Sequence, residues 1–397
     1  MIGYWLGGSG SIDQMDLSGF SAVKYAFMFV DGQGQITQAS ADDYKLISIL
    51  NGPSVRGKYP SLRTVLSIGG WTGGRHFSSV AASPDLRVKF AKNVHEFLDK
   101  YGFDGVDVDW EFPYGGGLSC NELSPDDVAN FALLLAALRA ELGPTRHISI
   151  AVGAVATSYS QNGRNYVAEY AKSVSYLGVM TYDLTGSWSP SSDFNSALGD
   201  PGPSDPQEPP ANHGPNSIQS AIQGFIAQGV SSSQLVGGLA FYGRSWSVSN
   251  KGSNNGLFMS CANSPNPNTG ACPGIQGDYS DAGGCDTCGE CGGPGGTWNY
   301  NALRGAWGQQ QNAPLASGPT NAVNGWSYQY FGFAASATLF SPSYNGISNV
   351  FISYDDTRSI QAKTSWMRGN VGGAMIWQLG GDFQGELTGA ARAGWGN

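Results

Sequence analysis

Residues 104 to 111 read DGVDVDWE, four carboxylates within eight positions on a stretch whose valines and tryptophan have the character of a buried strand. Side chains on a strand point alternately to its two faces. Asp107, Asp109 and Glu111 therefore share one face, and Val106, Val108 and Trp110 share the other. The apolar set suits a helical layer. The acids then form a column, about 6.6 Å apart per step, with Glu111 at its C-terminal end. Asp104 has the opposite parity and is expected to be structural. Three ionised carboxylates in a low-dielectric interior repel, so at least one proton must be held among them and their pKa values spread apart. A carboxylic acid kept protonated near neutral pH is what general acid catalysis requires. A calcium site is the alternative, but calcium favours loops with carbonyl ligands, which a strand column does not offer.

Working outward, seven further apolar runs end in Gly, Asp or Ser or close to them: Ile2–Trp5, Val23–Val30, Thr64–Ile68, Ile148–Val152, Gly178–Tyr182, Val236–Phe241 and Gly373–Leu379. With Gly105–Trp110 they make eight strand candidates. Amphipathic helices lie between several of them. Ser83-Pro84-Asp85 opens one that carries Leu86, Phe90, Val94, Phe97 and Leu98 and stops at Gly102; Ser124-Pro125-Asp126 opens another that closes at Gly143-Pro144. Strands apolar on both faces and alternating with helices indicate a parallel sheet, and eight such units indicate an α/β fold closed as a (β/α)8 TIM barrel. A doubly wound open sheet is the other solution, but no G-x-G-x-x-G or phosphate loop follows any strand. The gap before the last strand holds an insertion. We assign 1–248 and 346–397 to the barrel and 249–345 to a cysteine-rich α+β insertion domain. A loop after the seventh strand rises from the C-terminal face, where barrel active sites lie, so it is expected to wall the site.

Charged residues make up 13% of the 397 residues, about half the usual share, while glycine and aromatics are plentiful. A formal charge of −9 repels phosphate and anionic lipid, so neither nucleic acid nor a membrane is an expected partner, and no apolar run is long enough to span a bilayer. Met1 leads directly into IGYW, without the basic and apolar regions of a Sec-type signal, so either the protein has none or it was removed. Cys261, Cys272, Cys285, Cys288 and Cys291 cluster in a Gly/Asn/Pro-rich stretch, and Cys120 stands alone. The run C-x2-C-x2-C could bind zinc or an iron–sulfur cluster, but no histidine is near and a second C-x-x-C is missing. Disulfides of open connectivity, and hence an oxidising, extracellular setting, are the expectation. No cofactor or metal is expected.

The string D-G-x-D-x-D-W-E resembles the family 18 glycoside hydrolases, the chitinases. SIGG at Ser67–Gly70, MTYD at Met180–Asp183, FYGRSW at Phe241–Trp246 and GAMIWQL at Gly373–Leu379 are similar to that family's motifs on strands three, six, seven and eight. The resemblance implies that Glu111 protonates the glycosidic oxygen and later activates water, that Asp109 holds the substrate's acetamido N–H, and that Asp107 relays a proton behind it. It implies that Tyr182 donates to the acetamido carbonyl, that Met180, Asp183, Tyr242 and Arg244 line the −1 sugar, and that Tyr4 and Ser67 hydrogen-bond Asp107. Trp377 is expected as the floor under that sugar, and Trp71 and Trp188 as aromatics of the positive subsites. Trp5, Trp307 and Trp366 are expected to pack; Trp326 and Tyr328 either pack or line the cleft.

Retaining glycosidases ordinarily place a nucleophilic carboxylate roughly 5 Å from the acid. The seventh strand, LAFYGRSW, carries none. A substrate that supplies its own nucleophile, the 2-acetamido oxygen of N-acetylglucosamine, resolves this through an oxazolinium ion. The expectation is a monomeric, retaining chitinase acting on chitin or chito-oligosaccharides. An endo-β-N-acetylglucosaminidase on N-glycans and a catalytically silent chitin-binding lectin are the alternatives.

Overall fold

The computed structural model describes residues 1–200, 217–263, 265–267, 269–306 and 313–396. Trp307 lies outside the described residues. Eight parallel strands close on themselves: β1 (Ile2–Leu6), β2 (Ala22–Val30), β3 (Arg63–Gly69), β4 (Gly105–Asp109), β5 (His147–Gly153), β6 (Tyr176–Met180), β7 (Leu235–Ala240) and β8 (Gly373–Trp377). Each pairs with the next in chain order and β8 pairs back onto β1, so the sheet is a barrel. All eight overlap the strands read from the sequence. The short Ile36–Gln38 strand pairs antiparallel with the end of β2.

The helix Pro84–Tyr101 begins and ends as its sequence dictates. The Ser83 hydroxyl accepts from the Leu86 amide, Pro84 occupies the first helical position, and Gly102 closes the helix at φ 74°. Phe90, Val94, Phe97 and Leu98 are buried beneath it. The next helix, Asp127–Leu142, starts later than Ser124-Pro125-Asp126 suggests. The Ser124 amide donates to the Asp127 carboxylate at 2.7 Å, and Asp127 also accepts from the Ser78 hydroxyl at 2.9 Å. This carboxylate ties residues 124–127 into a turn and delays the first helical hydrogen bond.

Parity on β4 is resolved by packing. Trp110 stacks on Phe77 at 5.5 Å and meets Phe131 edge-on at 5.4 Å, so Val106, Val108 and Trp110 face the helices. Asp107 and Asp109 face the barrel interior, where register sets Ser67 on β3 and Ser149 on β5 on either side of Asp107. Asp104 stays apart: it accepts from the Thr64 amide at 2.7 Å and pairs with Arg56 at 2.8 Å. Gly69 is required at the end of β3, because at φ 112° a Cβ would lie 2.1 Å from the Asp109 carbonyl oxygen.

The barrel, apart from the last three residues of β7, belongs to a compact unit built from Met1–Met180, Ile222–Gly237 and Asn370–Gly380. A second unit takes in Thr181–Ala221, Gly238–Gly369 and the stretch from Gly381. Its centre is a five-stranded antiparallel sheet ordered Thr297–Asn299, Tyr242–Ser247, Ile347–Tyr354, Ser336–Tyr344 and Ser327–Phe331. The sheet thus draws strands from both flanks of 249–345 as well as from within it. Phe194, Trp246, Phe331, Phe340 and Phe351 pack together in this unit beside the Cys261–Cys272 disulfide. Cys285 and Cys291 form a second disulfide, and no cysteine is free. All six cysteines are therefore oxidised, which removes the thiolates that a zinc or iron–sulfur site would need. Among the described residues no helix is long and apolar enough to cross a membrane.

Candidate active site

In the barrel unit, Asp107 is fully buried and accepts hydrogen bonds at both oxygens. Tyr4 and Ser67 hydroxyls donate to Oδ2 at 2.9 and 2.8 Å; the Lys24 ammonium and the Ser149 hydroxyl donate to Oδ1 at 2.7 and 2.6 Å. Lys24 is itself fully buried, donates to the Tyr4 hydroxyl at 2.9 Å and lies 4.6 Å from the Tyr4 ring centroid and 5.1 Å from that of Tyr176. Burial alone would push the Asp107 carboxyl up. The Lys24 charge and the hydrogen bonds from Lys24, Ser149 and Ser67 outweigh it and hold the group below the ordinary aspartate range.

Asp109, one step up the column, has the opposite character. It is 3% exposed, and its Oδ1 is buried with no hydrogen-bond partner. Burial, reinforced by the negative charge of Asp107 and only partly relieved by Lys24, pushes its carboxyl up to about 8. Two neighbouring aspartates are thus set apart by environment, one ionised and one protonated at neutral pH. Glu111 lies just beyond the last residue of β4 and is half-buried; its backbone carbonyl accepts from Asn121 Nδ2 at 3.1 Å. Trp377, at the end of β8, stacks on Phe27 at 5.6 Å and meets Tyr4 edge-on at 5.5 Å. Met180 ends β6, half-buried, and Trp71 follows Gly70 with 48% of its surface exposed.

In the second unit, Tyr182 and Tyr242 are buried with ring centroids 6.1 Å apart. Arg244 Nε donates to Asp183 Oδ1 at 2.7 Å and a terminal nitrogen donates to Thr297 Oγ1 at 2.6 Å. Its guanidinium lies 5.4 Å from the Tyr242 ring and 5.2 Å from that of Trp188, which is exposed. Asn195 ties the group together: its Oδ1 accepts from the Asp183 amide at 3.0 Å and its Nδ2 donates to the Tyr242 carbonyl at 3.2 Å. The Tyr242 hydroxyl is buried, and burial with the Asp183 charge nearby pushes its pKa well above the ordinary tyrosine value.

Each unit therefore collects its own share of the residues singled out from sequence: Tyr4, Ser67, Trp71, Asp107, Asp109, Glu111, Met180 and Trp377 in the first, and Tyr182, Asp183, Trp188, Tyr242 and Arg244 in the second. Trp5 is buried against Tyr25, and Trp366 is half-buried. Trp326 packs against Trp298 and Tyr344 and is 6% exposed, so it belongs to the sheet's own packing. Tyr328 donates to Asp356 at 2.6 Å. Sequence reasoning missed Lys24, Ser149, Phe27 and Asn195. Lys24 left a signal: a lone ammonium in the apolar run AVKYAFMFV must find an anion inside the barrel.

A (β/α)8 barrel with a graded column of carboxylates on its fourth strand has the make-up of a barrel glycosidase. The chain belongs to the glycosyl hydrolases family 18, whose sequence pattern matches residues 1–382. It is 34% identical over 344 residues to Chitinase A1 of Niallia circulans, a match covering 84% of this chain and 42% of that protein, so the chain spans under half the length of this relative. A chitinase-like effector of Moniliophthora roreri is 27% identical over 393 residues, covering 96% and 89% of the two chains. The crystal structure of a chitinase from Rhizomucor miehei superposes with a TM-score of 0.80 over 99% of each chain at 23% identity, a likeness of fold.

Proposed function

We propose that the protein is a retaining chitinase that cleaves β-1,4 linkages of chitin or chito-oligosaccharides with help from the substrate's own acetamido group. The observation that carries this reading is the division of labour between Asp107 and Asp109, on the strand that leads to Glu111, together with a seventh strand that bears no carboxylate. An acid is supplied, and the seventh strand supplies no nucleophile. In this scheme Glu111 protonates the leaving oxygen while the acetamido oxygen attacks the anomeric carbon. The resulting oxazolinium ion is opened by a water that Glu111, now a carboxylate, deprotonates. Asp109 accepts the acetamido N–H at the oxygen that has no protein partner. By family resemblance Tyr182 donates to the acetamido carbonyl, Met180, Asp183, Tyr242 and Arg244 contact the same sugar, Trp377 forms its floor, and Trp71 and Trp188 serve neighbouring sugars.

Release of chromophore from a chito-oligosaccharide glycoside, with the anomer of the first product read by NMR, tests this directly. The β-anomer, with turnover at least about 100-fold lower in Glu111→Gln, is expected; an intact parent without turnover, or an α-anomer, overturns it. A second reading is a chitin binder without turnover, since a relative matched over nearly the whole chain is named chitinase-like and not chitinase; binding without hydrolysis in the parent would select it. Cleavage of a high-mannose glycopeptide in preference to chitotetraose would select the endo-β-N-acetylglucosaminidase. The disulfides support an extracellular location, and sedimentation would test the monomer.

A further inference from the structure

We propose that Lys24 is a positioning residue of this site: its ammonium takes the place of the second proton, the one that would otherwise neutralise Asp107, so Asp107 remains a carboxylate throughout and Asp109 alone carries the exchangeable proton. The proposal rests on the chitinase reading for its kinetic consequence, but not for its protonation pattern.

The geometry around Asp107 is that of an acceptor. A carboxylate accepts at both oxygens, and a carboxylic acid must give one position to its own proton. Here four donors converge, two per oxygen, at 2.6 to 2.9 Å. An ammonium can only donate, and because the Tyr4 oxygen accepts from Lys24 its own proton is directed at Asp107, so one position on each carboxylate oxygen is held by a fixed donor, and the Ser67 and Ser149 hydroxyls complete the four. Asp109, in contrast, has no donor at Oδ1, so no hydrogen bond there compensates a buried negative charge.

Among the described residues, the remaining groups that face the pair add no second cation. Tyr4 comes from β1 and Lys24 from β2. Tyr176, on β6, is kept protonated by burial. His147, on β5, has its imidazole pushed down to about 4 by burial and by the Lys24 charge, which leaves it neutral in the working range. Ser67 and Ser149 do not titrate. Lys24 is thus the counter-charge of Asp107, and through Asp107 it fixes where the proton of the column resides. The same ammonium also holds Asp109 below the value that the Asp107 charge and burial would otherwise impose.

Two consequences follow from removing the ammonium while keeping the stem. With no cation, complete deprotonation leaves two uncompensated carboxylates side by side, so the pair keeps one proton to higher pH. In mild acid it takes up a second, which neutralises Asp107. Lys24→Met should therefore move both limbs of the kcat/KM profile upward, the alkaline limb by at least about one pH unit. A lysine that merely packs would lower stability and leave the limbs in place. The second measurement is neutron diffraction from deuterium-exchanged parent crystals near pH 7, which needs neither turnover nor a folded variant. A deuteron on Asp109, three on Lys24 and none on Asp107 is the expected result. A deuteron on Asp107, or unmoved limbs in a folded Lys24→Met protein, overturns the proposal. Failure of the chitinase reading appears separately, as a parent without turnover whose neutron map still decides the protonation.

Discussion

Asp109→Asn replaces a buried acid by a neutral group of nearly the same shape and should change the pH dependence of stability in a calculable way. In the folded protein the Asp109 carboxyl is raised from 3.8 to about 8. The folded form therefore binds this proton more tightly than the unfolded chain, and the associated stability is fully present below about pH 4 and is lost as pH rises through about 8. Between those limits the loss is about 1.4 kcal/mol per pH unit, hence about 3 kcal/mol from pH 5 to pH 7. An amide cannot ionise, so the variant lacks this contribution. With an unfolding entropy of about 2 cal/mol/K per residue, a chain of 397 residues has about 0.8 kcal/mol/K, and the difference corresponds to about 3 to 4 °C. Scanning calorimetry of both proteins at pH 5 and pH 7 should find the variant gaining that much in Tm over the parent between the two pH values. A gap that stays constant to within about 1 °C would refute the assignment of the buried proton to Asp109.

Glu111→Gln should lower kcat by about 10²- to 10⁴-fold while calorimetric titration with a chito-oligosaccharide still detects binding, since the amide keeps the side chain's shape. Trp377→Ala removes the ring that packs on Phe27 and Tyr4; each aromatic pair lost is worth about 0.5 to 1.5 kcal/mol, so Tm should fall and KM for chitotetraose should rise together. Arg244→Gln leaves the Asp183 carboxylate without its cation and should weaken oligosaccharide affinity by about 10- to 100-fold, the equivalent of one charge-assisted hydrogen bond. Reduction with a thiol should accelerate proteolytic cleavage between Cys261 and Cys291, because the Cys261–Cys272 and Cys285–Cys291 links restrain that stretch, and equal cleavage of oxidised and reduced protein would count against a restraining role.

The eight strands and their closure were legible because burial on both faces leaves short, largely apolar runs, as in ISIAV at 148–152 and GAMIW at 373–377. The helix over Pro84–Tyr101 was legible to the residue, since Ser83 and Gly102 encode its ends locally. The Asp127 helix was not, because its start is delayed by a carboxylate that also reaches Ser78 on a different helix. Likewise the antiparallel sheet pairs Tyr242–Ser247 with Ile347–Tyr354, about a hundred residues away, and no local pattern encodes that partner.

For the acids the sequence by itself determined direction: a period of two places Asp107 and Asp109 on one face of the strand, with Val106 and Val108 on the other. It could say that a proton must be held among them, because like charges at that spacing repel. Which aspartate holds it was decided only by tertiary structure. Barrel closure sets Lys24 of β2, Tyr4 of β1, Ser67 of β3 and Ser149 of β5 around one carboxylate and none of them around Asp109 Oδ1. A pKa is a property of the surrounding charges and dipoles, and for Asp107 these arrive from four other strands.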